Sequence, residues 1–410
     1  MKKQIQFKNG KLKILQISDL QDNRFTCVDT LRFVQAAIEK TKPDLIVITG
    51  DQLDVFDLWG KGERNQKNVE SAIKSLFSVF ESFDIPFVLT FGNHDRETGV
   101  SNEEQVKTYS KIKNCICFDG LNDGRPDPAT FNVPVLSSDG EKTAMNIFVV
   151  DTGTKIKGKY QGVTEAQLHW LDRKSREANA PSIVFQHIPV DEIYQLLEKA
   201  PKGTKGVQAA YGSRKGEYYK LRDGIKHKGS YGETPAALPI ECGEFEQLKK
   251  HGDVFAVYCG HDHYNSFIGT VDGIDLGYCP GAGYNTYGAW QRAVRVFEFD
   301  ESDVRNYKTY TVSYSDVCDK PLAQPLKAFI LRIAPCCTGE VPAFLGKAAA
   351  VLAAIAIVLT LLAKFVSVKL VLDILITLAS IAVIYLAASL IYNGITRKKL
   401  IRRYQNERNN

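Results

Sequence analysis

Five short apolar runs in this 410-residue chain each end on residues able to hold a metal ion, and that recurrence constrains the fold more than any other feature. Residues 12–17 lead through Ser18 to Asp19, and 45–49 lead through Gly50 to Asp51. Residues 87–91 lead through Gly92 to Asn93-His94-Asp95. Residues 183–185 lead through Gln186 to His187, and 254–258 lead through Cys259-Gly260 to His261-Asp262-His263. Runs of this length and composition read as buried strands. Helical patterns at 28–41, 66–82, 164–178 and 243–251 lie among them, and further strands are expected at 265–269, 274–278 and 292–299. Ligands of open α/β sheets collect beyond the carboxyl ends of the strands. Five such strands in one sheet would therefore deliver two Asp, one Asn and four of the seven histidines to a single rim. Imidazole, carboxylate and amide oxygen together suit manganese, iron or zinc. Gly50, Gly92 and Gly260 are expected to let the chain turn sharply where strand gives way to loop. One such strand end is ordinarily a cap or a packed polar group; five in order are not explained that way.

The composition, 44% hydrophobic and 24% charged, excludes a mainly disordered chain. A net charge of +5 is small for this length and gives no ground for a nucleic-acid partner. The nine cysteines lack paired zinc spacing and read as reduced thiols. No apolar run follows Lys2 and Lys3, so a cytoplasmic start is expected.

Near residue 340 the pattern changes. Two segments, about 343–364 and 370–392, are apolar on all faces and close to the roughly 20 residues needed to cross a bilayer. The expected organisation is a soluble α/β unit over 1–314, a linker at 315–342, a transmembrane hairpin over 343–393 and a basic tail at 394–410. Arg397, Lys398, Lys399, Arg402, Arg403 and Arg408 follow the second segment, whereas the turn between segments carries only Lys364 and Lys369. That bias predicts a multi-pass protein of the cell membrane with the soluble unit and the C-terminus both cytoplasmic.

Gly50-Asp51-Gln52-Leu53-Asp54, Gly92-Asn93-His94-Asp95, His187 and Gly260-His261-Asp262-His263 resemble the signature of the calcineurin-like metallophosphoesterases, over about residues 10–313. The resemblance implies a two-sheet αββα sandwich of α/β (α+β) class holding two divalent metal ions. By position, Asp51 would bridge both ions, Asp19 and His263 would hold one, and Asn93, His187 and His261 the other. A bridging hydroxide would attack a phosphate ester, and His94, oriented by Asp54, would protonate the leaving group. Where the family has a second histidine, this chain has Gln21, which offers at most a weak, uncharged amide ligand. Gly281-Ala282-Gly283-Tyr284 and Trp290-Gln291-Arg292 resemble a branch that includes short plant proteins filed with the purple acid phosphatases. Asp54 stands where those phosphatases carry a tyrosine, so no coloured iron site is expected.

Gln21 keeps a second class open: a catalytically weakened binding or sensing module at the membrane. A third class, a hairpin acting as a channel subunit, lacks a polar stripe within the apolar segments. The stretch 199–228 is basic, and Arg214, Lys215, Lys220 and Arg222 are candidates for binding an anionic substrate or lipid headgroups. The alternative for that stretch is a solvated loop.

Overall fold

The computed structural model describes residues 4–54, 62–118, 124–157, 159–227, 229–333 and 341–409. The chain enters through β1 (Ile5–Gln6) and β2 (Lys11–Ile17), then alternates α1 (Val28–Thr41), β3 (Leu45–Thr49), α2 (Gly62–Glu81) and β4 (Phe87–Thr90). Short helices α3 (Asn93–Glu97) and α4 (Asn102–Tyr109) precede β5 (Phe131–Leu136) and β6 (Thr143–Val150). The hairpin β7 (Lys155–Ile156) and β8 (Lys159–Tyr160) leads to α5 (Glu165–Ala178) and β9 (Ser182–Gln186). An insertion then forms a small sheet of β10 (Leu197–Lys199), β11 (Gln208–Ala209) and β12 (Tyr218–Leu221). Helix α6 (Glu244–Lys249) is followed by β13 (Val254–Cys259), β14 (Ile268–Val271), β15 (Ile274–Tyr278), β16 (Ala293–Asp300) and β17 (Lys308–Ser313). Four helices complete the chain: α7 (Tyr314–Val317), α8 (Pro325–Ile333), α9 (Val341–Phe365) and α10 (Val368–Asn409).

Two mixed sheets pack face to face. One has the order β17-β16-β2-β3-β4 and the other β1-β5-β6-β9-β13-β15-β14. The five ligand-bearing strands therefore do not share one sheet, as expected above, but divide as β2, β3, β4 against β9 and β13. Each set pairs in parallel, so every ligand-bearing end of a set lies at the same edge of its sheet. Strand β3, Leu-Ile-Val-Ile-Thr, is buried at every position, as a central parallel strand must be. Between the sheets, Phe297 of β16 meets Phe185 of β9 and Tyr258 of β13 edge-on, with ring centroids 5.4 and 4.6 Å apart. Apolar faces of α1 and α2 pack on the smaller sheet, through residues such as Val34, Ile38, Ile73 and Phe77. Trp170 and Leu171 of α5 and Phe245 and Leu248 of α6 join Val184 and Val257 on the outer face of the larger sheet. The layering is αββα.

The segment 315–342, expected as a linker, is in its described part largely ordered on the domain. Ala323 and Gln324 donate backbone N–H groups to the buried Asp29 carboxylate at 2.7 and 3.1 Å, and Ala328 of α8 is buried in the core. Helices α9 and α10 are long and apolar enough to cross a membrane, and the 18-residue apolar window of each is 0% buried inside the structure. They turn back on each other at residues 366–367.

The tail is not a separate basic strand of chain: α10 continues without a break to Asn409. Asn393, Arg397, Leu400, Ile401, Tyr404 and Arg408 recur at helical spacing. Asn393 Oδ1 accepts the Val28 N–H at 3.2 Å, and Tyr404, fully buried, donates to Gln35 Oε1 at 2.9 Å. Leu400 and Ile401 pack against the core, and Arg408 pairs with Glu81 at 2.9 Å. The distal third of α10 is thus part of the domain's helical layer.

Candidate metal centre

The carboxyl ends of the two strand sets meet at one rim, and His187 ties them together. Its Nδ1–H donates to the Thr49 carbonyl at the end of β3 at 2.8 Å. That bond fixes the proton and turns Nε2 toward the rim, 3.2 Å from Asp51 Oδ2. His263 is oriented in the same manner: Nδ1–H donates to the Tyr287 carbonyl at 2.8 Å, leaving Nε2 3.1 Å from Asp19 Oδ1. His261 Nε2 lies 2.6 Å from the Tyr160 hydroxyl, and its Nδ1 faces His187 Nε2 at 3.2 Å.

Asp51, His187 and His261 bring one ligand atom each to within 4.8 Å of the others. Among the described residues, buried Asn93 Oδ1 has no hydrogen-bond partner, and buried Asp19 Oδ1 has none beyond the His263 Nε2 contact at 3.1 Å. Carboxylate oxygens, an amide oxygen and imidazole nitrogens thus converge on one rim. A buried acceptor without a partner is costly unless a cation answers it. The donor set fits a divalent first-row metal.

The backbone is strained to achieve this. Asp19, Gln21, Asp51 and His261 all lie in the left-handed region, at φ of 52°, 36°, 51° and 72°. Such conformations are uncommon for residues other than glycine and collect at functional sites. The three glycines expected to permit turns divide in purpose. Gly50 does turn, at φ 88°. Gly92 does not; its φ is −100°, but a Cβ there would overlap the Asp51 carboxylate. At Gly260 a Cβ would overlap the Ser18 hydroxyl and stand 2.7 Å from Asp19 Oδ2.

Burial alone would push the Asp51 carboxyl up, but the His187 and His94 charges and the His187 hydrogen bond together hold it well below the usual range. Burial opposes protonation of His187, and the Asp51 charge and hydrogen bond overcome it, moving the imidazole up to about 10. In the protein alone, protons on these histidines balance the carboxylates; a bound cation takes over that balance.

Gln21 occupies the other half of the site. Its amide nitrogen donates to Asp51 Oδ2 at 3.0 Å and lies 3.2 Å from His263 Nε2. Its carbonyl oxygen accepts from Thr286 Oγ1. The amide N–H groups therefore present positive charge to two expected metal ligands. Asp22, next to it, is turned away and accepts the Cys27 N–H at 2.9 Å. Among the described residues only the Asp51, His187 and His261 group is compact enough for a metal; Asp19 and His263 do not complete a second.

His94 sits on the first turn of α3 with its side chain 27% exposed, and its Nε2 is 3.9 Å from Asp51 Oδ2. Nδ1 pairs with Glu97 Oε2 at 2.7 Å. Asp54, the partner the resemblance implies, is buried, and its N–H donates to the Asp22 carbonyl. The i,i+3 geometry of α3 also puts Glu97 beside His94. Burial lowers the His94 pKa, but the Asp51 charge and the Glu97 hydrogen bond outweigh it and raise it to about 9.

Several supporting groups had no sequence signal of their own. Tyr160 lies on a two-residue strand 101 positions from His261. Tyr287 stacks on His263 with centroids 4.0 Å apart, and its hydroxyl donates to Glu233 at 3.2 Å. Their loop is held by Arg292, buried at 1% exposure, which donates to the Gly283 and Thr286 carbonyls at 2.7 Å each. The motif around Trp290-Gln291-Arg292 thus marks a positioning residue. Of the basic insertion, Arg214 is held by both oxygens of Asp191 at 2.7 Å, and Lys220 pairs with Glu198 at 2.7 Å. Arg222 donates to the Leu197 carbonyl at 2.9 Å, and Lys215 is exposed. Among the described residues none of these four touches the metal centre.

The model of the family described as calcineurin-like phosphoesterase matches residues 12–265. An Arabidopsis thaliana protein named "Probable inactive purple acid phosphatase 14" is 28% identical over 347 residues, covering 72% of this chain and 77% of that protein. "Probable inactive purple acid phosphatase 29" of the same plant is 27% identical, covering 73% and 79%. "Phosphatase DCR2" of Saccharomyces cerevisiae is 24% identical, covering 76% and 55%. Among solved structures, a dimetal phosphatase from Danio rerio is 14% identical, with a TM-score of 0.45, covering 74% of this chain and 99% of that one.

Proposed function

The chain belongs to the calcineurin-like phosphoesterase family, and from that premise we propose that it hydrolyses phosphate esters with divalent metal, as a membrane-anchored enzyme facing the cytoplasm. The observation that carries the proposal is the convergence of Asp51, His187 and His261 beside the buried oxygens of Asn93 and Asp19. Asp51, Asn93, His187 and His261 would hold one ion of manganese, iron or zinc. Asp19 and His263 would offer a second, weaker position, because Gln21 already answers two of its ligands. A divalent cation supplies a Lewis acid for the phosphoryl group and activates water as nucleophile.

The chain's own residues do the rest. Thr49 and Tyr287 hold the two histidine rings so that their Nε2 atoms face the rim. Glu97 keeps the proton of His94 on Nδ1 and favours the imidazolium. The Nε2 proton of His94 is then the one available to a leaving oxygen, at the open side of the site.

A second reading, a binding or sensing module, is favoured by the Gln21 amide and by the word "inactive" in the names of the plant relatives. One assay separates them: hydrolysis of aryl phosphate mono- and diesters by the full chain in detergent, with manganese, zinc or iron, beside His94→Ala. Metal-dependent turnover that His94→Ala lacks supports the enzyme; its absence with every metal leaves the binding module. The anchor rests on the exposed apolar helices α9 and α10 and on the basic residues after them. A reporter fused to the C-terminus should read cytoplasmic, and an external reading would overturn that orientation.

A further inference from the structure

Helix α8 carries an apolar stripe that none of the described residues covers. Leu326, Phe329, Ile330 and Ile333 are 42, 50, 52 and 50% exposed. Their spacing, i, i+3, i+4 and i+7, puts them on one face of the helix. The opposite face is engaged with the domain: Ala328 is buried, and Lys327 donates to Asn285 Oδ1. A helix half-embedded in a domain, with an unbroken apolar face outward, has the form of an interfacial helix.

Its position says what covers that face. Gln324, one residue before α8, lies 3.5 Å from the hydroxyl of Ser389 on α10. Ser389 is near the end of the apolar part of α10, which closes at Tyr392 before Arg397. The start of α8 is therefore level with the boundary of the candidate membrane span. Only residues 334–340 separate α8 from α9. Seven residues reach at most about 25 Å, so the stripe stays close to the start of the first span. Phe25, 57% exposed, sits beside α10 just past that boundary, with the Arg24 and Arg397 guanidinium groups 4.8 and 5.5 Å from its ring. Aromatic and aliphatic side chains bordered by arginine and lysine match an anionic leaflet surface.

The same helix is tied to the metal centre from both ends. Lys327 reaches Asn285, which donates to the Asp22 carboxylate at 3.4 Å, three residues from Asp19. Tyr264 donates to the Arg332 carbonyl at 3.0 Å, and its ring lies 5.7 Å from Tyr287, the residue stacked on His263. A leaflet that covers α8 therefore stands at the rim of the site.

We infer that α8 and Phe25 lie in the headgroup layer of an anionic leaflet, and that the phosphate ester taken by this site is carried on a membrane lipid. The substrate class rests on the phosphoesterase reading above; the contact of α8 with lipid does not.

The test uses the full chain reconstituted in phosphatidylcholine vesicles carrying phosphatidic acid or phosphatidylglycerol. Turnover of those lipids is compared with that of glycerol phosphate and an aryl phosphate, for the wild type and for Phe329→Glu/Ile330→Glu. The expected result is at least a tenfold fall in the ratio of lipid to aryl phosphate turnover in the variant. An unchanged ratio, or hydrolysis of the soluble esters alone, overturns the substrate class. In parallel, Ile330→Trp is placed in vesicles containing brominated lipid, and its added fluorescence is compared with the wild type. Quenching of that added signal is expected, and a solvent-like signal overturns the placement of α8 whatever the activity. If Ile330→Trp is quenched but no ester of any kind is hydrolysed, the phosphoesterase reading fails and takes the substrate class with it.

Discussion

At residue 21 an amide nitrogen does what an ion does in a symmetric dinuclear site. The Gln21 N–H groups neutralise part of Asp51 and meet the His263 nitrogen, at 3.0 and 3.2 Å. Replacing them by an imidazole removes that answer and supplies a ligand. Gln21→His should therefore raise tightly held metal from about one to about two ions per chain, read by elemental analysis after dialysis. Equal metal content in both proteins would refute the asymmetry. Gly260→Ala should abolish metal retention, since its Cβ would overlap Ser18 and crowd Asp19; a variant that folds and still holds metal would show that the loop yields. The residues that meet at the rim were legible in the sequence because each follows an apolar run. Glu97 was legible in principle, three positions after His94 on a helix, but the family pattern drew attention to Asp54. Tyr160 and Tyr287 were not, because their partners are distant in sequence and no periodicity marks them.

At the scale of elements, the far end of α10 is the clearest departure from expectation. Its many Lys and Arg residues read as a basic tail, and one face of it buries Tyr404 against the domain. Composition hid what spacing carried. Tyr404→Ala should destabilise the domain by about 3 kcal/mol, read as a lowered Tm in detergent. A loss within the range of a surface substitution would mean that the tail is not packed. Helix α6 gives a pH prediction. Burial raises the Glu244 carboxyl to about 8, and one oxygen has no hydrogen-bond partner among the described residues. The folded state therefore binds this proton more tightly than the unfolded state, which releases it near 4.5. The stabilisation is complete below that pH and is lost as pH rises toward about 8. Glu244→Gln should remove this fall, so that thermal unfolding across the interval becomes flatter than in the wild type. Parallel profiles would contradict it.

For the whole molecule, two sheets meeting at one rim explain why the ligands come from distant parts of the chain. The mixture of helix-separated strands and later hairpin strands pointed to two sheets covered by helices; which strands each sheet takes follows from cross-strand pairing such as β16 on β2, which local pattern does not encode. The apolar hairpin, in contrast, was plain from length and composition, because only uninterrupted apolar side chains serve a bilayer. Helices α1 and α2 receive the returning end of α10, so the domain and the apolar hairpin are joined at both ends of the hairpin, through α8 and through the tail. The central claim is that the rim is a metal-dependent phosphoesterase site. Its most direct test is one titration of the metal-free full chain with Mn(II), in which bound metal and phosphate release from an aryl phosphate are followed together. Release that rises with the first ion bound, and is absent in His187→Ala, is predicted. Metal bound without release, or release indifferent to His187→Ala, would contradict the account.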